Sequence, residues 1–289
     1  MDRTALAMGV AFALMWSSAF TSARIIVADA SPIYSLALRF LISGLIGVAI
    51  ARVMGQHWRL TREQWRATFI FGICQNALYL GLNFVAMQTV EASLAAIIAS
   101  TMPLIVALAS WLFLGDKLPA LGVAGLAVGI AGVVLIMGSR LGAGADLYGI
   151  VLCIIGALAL SLATLALRGA TSGGNYMMIV GLQMLVGSAA LFIVAPFVET
   201  FRVEPSWPLL AAFTYTTLVP GLLATWVWVS LINRIGAIRA ATFHFLNPVF
   251  GVAIAAVLLA EPLSWLDGVG VVIVTLGILA VQKSRQAAA

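Results

Sequence analysis

The fold is decided by two stretches of equal length, STMPLIVALASWLFLGDKL at residues 100–118 and FLNPVFGVAIAAVLLAEPL at residues 245–263. When the sequence is shifted by 145 residues, they align without a gap and Pro103 falls on Pro248. The same shift aligns four further pairs: Asp116 with Glu261, Gly125 with Gly270, Gly132 with Gly277, and Arg140 with Arg285. The chain therefore contains an internal duplication.

The composition identifies the surroundings of these stretches. Of the 289 residues, 63% are hydrophobic and only 9% are charged, whereas soluble domains carry about 25% charged residues. The net charge of +5 comes from basic residues scattered between apolar stretches, without the clustered basic surface that binds nucleic acids. We therefore predict a protein embedded in a lipid bilayer, with no nucleic-acid partner.

A membrane-spanning helix needs about 20 mainly apolar residues, and ten such segments can be read along the chain. They are residues 4–26, 33–54, 67–88, 92–113, 119–138, 147–168, 176–197, 209–232, 237–259 and 264–282. The connections between these spans, numbered 1 to 10, are too short to form a soluble domain, so we predict a single membrane domain.

The basic residues indicate the orientation of the chain in the membrane. With both termini in the cytoplasm, only Arg24, Arg140 and Arg202 fall outside, and Arg39 lies within span 2. The other eleven of the 15 fall inside: Arg3, Arg52, Arg59, Arg62, Arg66, Lys117, Arg168, Arg234, Arg239, Lys283 and Arg285. Cytoplasmic loops are enriched in Lys and Arg, so we predict cytoplasmic termini.

Each copy, residues 1–140 and 147–285, contains five spans, so the second copy must cross the membrane in the opposite sense. Inverted repeats of this kind are typical of secondary transporters, whose substrate site lies near the midplane between the repeats. A structural protein can also arise by duplication. The predicted fold is an all-α polytopic membrane protein with ten transmembrane helices, arranged as two inverted five-helix repeats around a central cavity.

The stretch WSSAFTSARIIVADASPIYSLALRF, residues 16–40, resembles the first-helix and second-helix signature of the drug/metabolite transporter superfamily. The stretches running from Pro103 to LGD and from Pro248 to LAE are similar to its two EamA-type repeats. The resemblance implies a ten-helix carrier of the bacterial inner membrane, with a cavity formed mainly by helices 3, 4, 8 and 9. Bacterial members of this length commonly export amino acids and other metabolites, and the present chain is similar to the aromatic-amino-acid type.

Span 3 carries the polar side chains Gln75, Asn76, Tyr79 and Asn83. The last three are spaced i, i+3 and i+7, so they share one helical face, with Gln75 beside it. Their amides and phenol can bind the polar ends of an amino acid, and we predict that they line the cavity. The alternative is hydrogen bonding between helices, worth about 0.6 kcal/mol each.

Span 9 combines His244, Asn247 and Pro248 within five positions of an apolar run. Because proline removes a backbone donor, Pro248 should interrupt the helix, and Pro103 should interrupt span 4 at the equivalent place. Interruptions at equivalent positions of two repeats point to a substrate site at the midplane. We therefore predict that His244, Asn247 and Met102, the repeat equivalent of Asn247, bind substrate, and that the prolines act in gating. The alternative for His244 is a hydrogen-bonded packing residue.

Two further residues within the spans are candidates for contact with the substrate. Trp226 lies three turns from Tyr215 in span 8 and is predicted to stack on the substrate's side chain. Arg39, the only cation deep in a span, can hold a substrate carboxylate or bond to the carbonyls of a helix end, and we favour the structural role.

The sequence contains few residues that could support proton coupling, catalysis or metal binding. All ten acidic residues lie in loops or at span ends, so His244 is the only embedded group that titrates near neutral pH. The serines of the spans have no catalytic motif around them, and we predict no catalytic residue, no metal and no cofactor. The glycines of GLAVG at 125–129 are interpreted as packing within the bundle rather than as an association motif.

The sequence therefore predicts a monomeric or weakly dimeric exporter of neutral or aromatic amino acids, such as threonine, methionine or phenylalanine, driven by the substrate gradient. One alternative is an exporter of another small metabolite or drug, with proton coupling through His244. An integral-membrane enzyme is a weaker alternative, because its motifs are missing.

Overall fold

The computed structural model describes residues 2–142, 144–166 and 173–288, which are almost entirely helical. Ten helices in these ranges are long and apolar enough to cross a membrane. Numbered 1 to 10, they are Arg3–Asp29, Pro32–Val53, Arg62–Ala86, Ala92–Phe113, Ala120–Gly142, Leu147–Ala166, Tyr176–Val198, Trp207–Ile235, Arg239–Leu259 and Trp265–Gln286. The predicted all-α fold with ten spans is confirmed, and the ends differ from the predicted ones by at most five residues. Arg168, at the predicted end of span 6, lies outside the described residues.

Local sequence explains several helix starts. The Asp2 carboxylate accepts a hydrogen bond from the Ala5 backbone N–H at 2.7 Å, and Thr61 and Gln64 form a reciprocal capping box at helix 3. Pro32 occupies the first turn of helix 2, where proline's missing N–H costs nothing. These caps satisfy backbone donors that a helix start leaves unpaired.

Helices 5 and 10 pack along a seam of glycines. A Cβ atom added to Gly277 would lie 2.5 Å from the Gly129 Cα atom, and one added to Gly125 would lie 2.9 Å from the Gly277 carbonyl oxygen. Only glycine permits two backbones to approach so closely. The GLAVG segment therefore packs inside the bundle, as its sequence indicated.

The packing of the helices is nearly unchanged when the two halves are exchanged. Helix 2 packs on helix 7, helix 4 on helix 9, and helix 5 on helix 10, so each pairs with its own counterpart. Helix 1 packs on helices 8 and 9, and its counterpart helix 6 packs on helices 3 and 4. This pattern is consistent with the predicted pair of inverted repeats.

The third and fourth helices of each half are interrupted. Helix 3 is π-helical over Gly72–Tyr79 and helix 8 over Val219–Leu223. Helix 4 is divided at Thr101, between Ala92–Ser100 and Met102–Phe113, and helix 9 contains a 3-10 segment, Thr242–Leu246, before Asn247–Leu259. Pro103 and Pro248 occupy the first turn of the segment that follows each break. The structure therefore contains both predicted interruptions, and two π-helical ones that the sequence did not predict.

Candidate functional site: a central cavity

A narrow cavity lies between helices 1, 2, 3, 7 and 8, with a volume of about 50 Å³, which is room for only a few water molecules. Its polar lining consists of Arg39, Gln75, Asn76, Tyr79, Asn83 and Thr225. Four of its apolar lining residues are the aromatic side chains Trp16, Phe20, Phe40 and Phe84. Among the lining residues there is one cation and no carboxylate.

The four polar residues predicted on helix 3 all lie on this cavity. The Asn76 Nδ2 atom donates a hydrogen bond to the Gln183 carbonyl of helix 7 at 2.9 Å, so this amide ties two helices together. The Asn83 Nδ2 atom donates to the Tyr79 carbonyl at 2.7 Å. The Asn83 Oδ1 atom is buried and accepts no hydrogen bond within the described part of the chain. Both interpretations of the polar row therefore have a physical counterpart: Asn76 joins helices, and Asn83 keeps an acceptor open.

Helix 8 contributes Pro220, Gly221 and Thr225 to the cavity. A shift of 145 residues places these three on Gln75, Asn76 and Leu80 of helix 3, which also line it. Sequence reasoning missed the helix 8 residues because they have no conspicuous polar pattern. The repeat register was the signal that could have found them.

Arg39 is only 5% exposed and lies on the same cavity. Its Nε atom donates a hydrogen bond to the Thr216 carbonyl oxygen of helix 8 at 3.2 Å. In an α-helix this carbonyl would bond to the N–H of residue 220, but Pro220 has no N–H. The predicted contact between Arg39 and a carbonyl at a helix interruption is therefore present, and the same side chain also faces the cavity.

His244 and Asn247 form a second polar group, next to helix 1 but outside the lining of the cavity. The Asn247 Nδ2 atom lies 2.9 Å from His244 Nδ1, and the Ser17 hydroxyl donates to the Asn247 carbonyl at 3.2 Å. The imidazole ring lies 5.4 Å from the Phe12 ring and 5.1 Å from that of Trp228, centroid to centroid. Phe12, Trp16, Trp228 and His244 thus form an aromatic cluster that reaches the cavity through Trp16.

Two further residues predicted to bind substrate, Met102 and Trp226, also lie outside the lining of the cavity. Met102 begins the second segment of helix 4, and the side chain of Trp226 is 48% exposed. Because helix 1 packs against helices 4 and 9, Trp16 and Phe20 occupy the side of the cavity where those helices were expected. This cavity is formed by helices 1, 2, 3, 7 and 8, whereas the family resemblance implied one formed mainly by helices 3, 4, 8 and 9.

Ionic contacts tie the helices together at both ends of the bundle. On the face opposite the termini, which we call the far face, Arg140 of helix 5 pairs with Glu91 and, at 3.0 Å, with Asp267 of helix 10. Burial raises the pKa of the Glu91 carboxyl, against the opposing effect of Arg140. On the face that carries the termini, the terminus face, Arg234 pairs with Asp2 at 2.7 Å. The hydrogen bond from Arg234 lowers the pKa of Asp2.

The duplicated acid of the LAE stretch also has a clear role on the far face. The two Glu261 carboxylate oxygens accept hydrogen bonds from the backbone N–H groups of Ala92 and Ser93, at 2.7 and 3.0 Å. A residue of the second half thus caps the start of helix 4 in the first half. Carboxylates are favoured at helix N-termini, where backbone donors point outward.

Comparison with known proteins assigns the chain to a family. The model of the EamA-like transporter family matches the chain twice, over residues 3–138 and 147–282. The chain belongs to this family. It is consequently a multi-pass membrane transporter.

Relatives of this EamA-like chain support the same conclusion. It is 25% identical to the uncharacterized transporter YvbV of Bacillus subtilis, over 100% of this chain and 96% of the relative. It is 29% identical to the uncharacterized inner membrane transporter YedA of Escherichia coli, over 93% of this chain and 90% of the relative. A solved crystal structure with 21% identity superposes with a TM-score of 0.69, covering 98% of this chain and 99% of the other. This last similarity concerns the fold.

Proposed function

We propose that the protein exports neutral or aromatic amino acids from the cytoplasm by alternating access. The observation that carries this proposal is the chemistry of the central cavity, which combines hydrogen-bonding groups on helix 3 with an aromatic wall. The open Oδ1 acceptor of Asn83 and the Tyr79 hydroxyl can bind an ammonium group. Trp16, Phe20 and Phe40 can pack against an apolar side chain.

The charge of the cavity supports this choice of substrate. Cationic substrates need a carboxylate to neutralise them, and none lines the cavity in the described part of the chain. A zwitterionic amino acid with an uncharged side chain places no net positive charge there. Ionisable groups in membrane interiors are costly unless they serve binding or coupling, so a single lining cation favours substrates that bring an acidic group.

The small volume of the cavity supports a transport mechanism in which the helices change conformation. Its volume of about 50 Å³ must increase before an amino acid enters, and the interrupted helices supply points at which segments can shift. We assign the Arg140–Glu91–Asp267 contacts to closure of the far face and the Asp2–Arg234 pair to closure of the terminus face. The excess of basic residues on the terminus face supports placing this face in the cytoplasm. We place the protein in the inner membrane and propose that it acts as a monomer or weak dimer.

The driving force follows from the shortage of titratable groups. The cavity has no carboxylate relay among the described residues, so we propose efflux down the substrate gradient. The specific alternative is proton coupling through His244. Its position inside the 3-10 interruption of helix 9, against Trp228, would let a change in protonation alter that helix.

The test is tracer counterflow in liposomes containing the purified protein and loaded with single amino acids, with and without a pH gradient. Saturable counterflow of threonine, methionine or phenylalanine that is insensitive to the gradient is expected. Counterflow that requires the gradient and is lost in His244→Gln would replace facilitated efflux with proton coupling. If no amino acid exchanges while the protein is monodisperse and thermally stable, the amino-acid proposal is wrong.

A further inference from the structure

We infer that Arg39 is the carboxylate-binding residue of the cavity and that it sets the substrate class to solutes carrying a carboxylate. This inference rests on the proposed transport function and deepens it. The geometry of the guanidinium carries it, in three steps: the charge is buried without a counterion, most of its donors are open, and they are held at the cavity.

The buried charge of Arg39 has no counterion in the described part of the chain. Arg39 is only 5% exposed, and it forms no ion pair with any residue in the described ranges. Its Cζ atom lies 4.9 Å from the centroid of the Phe40 ring, which carries no net charge. A buried cation is costly unless an anion neutralises it. A purely structural ligand for one neutral carbonyl does not require this charge.

Most hydrogen-bond donors of the Arg39 guanidinium are open. A guanidinium has five N–H groups, and Arg39 uses the one on Nε for the Thr216 carbonyl. The four N–H groups on its two terminal nitrogens have no acceptor among the described residues. Two parallel N–H groups of this kind match the two oxygens of a carboxylate.

The open donors of Arg39 are held at the cavity. Arg39 lies on the cavity together with Gly221. A Cβ atom at Gly221 would lie 3.6 Å from the Arg39 Nη2 atom and 3.1 Å from the Thr216 carbonyl oxygen. Glycine therefore leaves the approach to the guanidinium uncovered, and the bond to Thr216 fixes its orientation.

The test uses the amino acid with the strongest counterflow and three unlabelled competitors: the acid itself, its primary amide and its alcohol. In the wild-type protein the acid should compete at least about tenfold better than the other two, because a hydrogen bond between two charged groups is roughly twice as strong as one between neutral groups. In Arg39→Gln this preference should fall several-fold, leaving only the part that comes from the net positive charge of the amide and the alcohol, and Arg39→Lys should retain more of it. Equal competition by acid and amide in the wild-type protein would overturn the inference without any variant.

The matched control is Arg52→Gln. Arg52 lies on the same helix but is exposed and stacked over Trp58, 5.4 Å from Cζ to ring centroid, so its loss should leave the preference for the acid unchanged. An Arg39→Gln protein with the wild-type ratio of acid to amide would contradict the inference. If that variant does not fold, the wild-type competitor series and Arg39→Lys decide the matter.

A failure of the proposed function can be separated from a failure of this inference. If no amino acid exchanges, the same liposomes are loaded with labelled monocarboxylates that lack the amino group, such as 3-phenylpropionate. Counterflow of these acids, lost in Arg39→Gln and kept in Arg52→Gln, would preserve the role of Arg39 and reject amino-acid export. Absence of both kinds of counterflow would overturn the two proposals together.

Discussion

The helix 5–helix 10 seam and the helix 3–helix 8 side of the cavity are built in opposite ways. Helices 5 and 10 are continuous and approach each other through glycines. Helices 3 and 8 are each interrupted by π-helical turns that reach the cavity, with Gln75, Asn76 and Tyr79 at the break of helix 3 and Pro220 and Gly221 at that of helix 8. In a membrane, interrupted backbone is tolerated only where protein or a water-filled space satisfies it. Continuous helices thus form the seam, whereas interrupted helices line the cavity.

The largest expected effect comes from filling the seam. Gly277→Leu should prevent recovery of monodisperse protein, because its Cβ atom alone would lie 2.5 Å from the Gly129 backbone. Backbone atoms cannot move aside, so the cost should exceed the about 1–3 kcal/mol of an ordinary overpacked site. Size-exclusion chromatography in detergent measures this. Gly138→Leu on helix 5, which meets no atom within 4 Å, is the control and should behave as wild type.

The next largest effect should come from the open acceptor of the cavity. Asn83→Leu removes the buried Oδ1 atom and should reduce counterflow at least about tenfold, since losing a charged hydrogen bond costs about 1.5–3 kcal/mol. Trp226→Leu, whose side chain is 48% exposed, should change counterflow less than twofold. A strong loss in Trp226→Leu and none in Asn83→Leu would place the substrate elsewhere.

A smaller effect is expected when the interruption of helix 8 is repaired. Pro220→Ala restores an N–H that can bond to the Thr216 carbonyl, so the melting temperature should rise while counterflow slows several-fold. Pro196→Ala, inside helix 7 and exposed, should raise the melting temperature without slowing counterflow. An unchanged counterflow rate in Pro220→Ala would show that the interruption has no part in transport.

The smallest effects concern two acids on the far face with opposite pKa shifts. Burial raises the pKa of Glu91 above its usual 4.5, so this residue's contribution to stability is full at low pH and is lost as the pH rises through the raised value. The hydrogen bond from Thr89 lowers the pKa of Asp146 below 3.8, so its contribution is present above that value and is lost as the pH falls. Melting temperatures from pH 3 to pH 7 (roughly the range of these shifts) check both.

Relative to wild type, Glu91→Gln should therefore become more stable as the pH rises, and Asp146→Asn should become less stable. The two variants act as controls for each other, because each removes one acid from the same face. Slopes of the same sign would show that general charge effects, rather than the two local environments, determine the response.

The sequence was sufficient for the parts of the structure that depend on regular patterns. Apolar length predicted all ten helices, prolines predicted the breaks in helices 4 and 9, and the i, i+3, i+7 spacing predicted the polar face of helix 3. It was not sufficient where the outcome depends on which helices are neighbours. Trp226 is polar-tipped and aromatic in sequence, yet its direction is set by the packing of helix 8.

Other features depend on contacts that no local pattern records. The π-helical turn of Gly72–Tyr79 contains no proline, so no residue in the sequence marks where the α-helix is interrupted. Pro220 and Gly221 could have been found by applying the repeat shift to Gln75 and Asn76. The bond from Arg39 to Thr216 joins residues 177 positions apart, so the sequence could offer it only as one of two alternatives.

The measurement that most directly tests substrate binding in the central cavity is protection of a thiol placed there. Thr225→Cys, in a background with Cys74→Ser and Cys153→Ala, puts a small reactive group on the cavity wall. We expect the amino acid with the strongest counterflow to slow maleimide labelling of Cys at this position in a saturable way, and its amide to have little effect. An unchanged labelling rate at saturating substrate, in protein that still exchanges that amino acid, would contradict binding at this site.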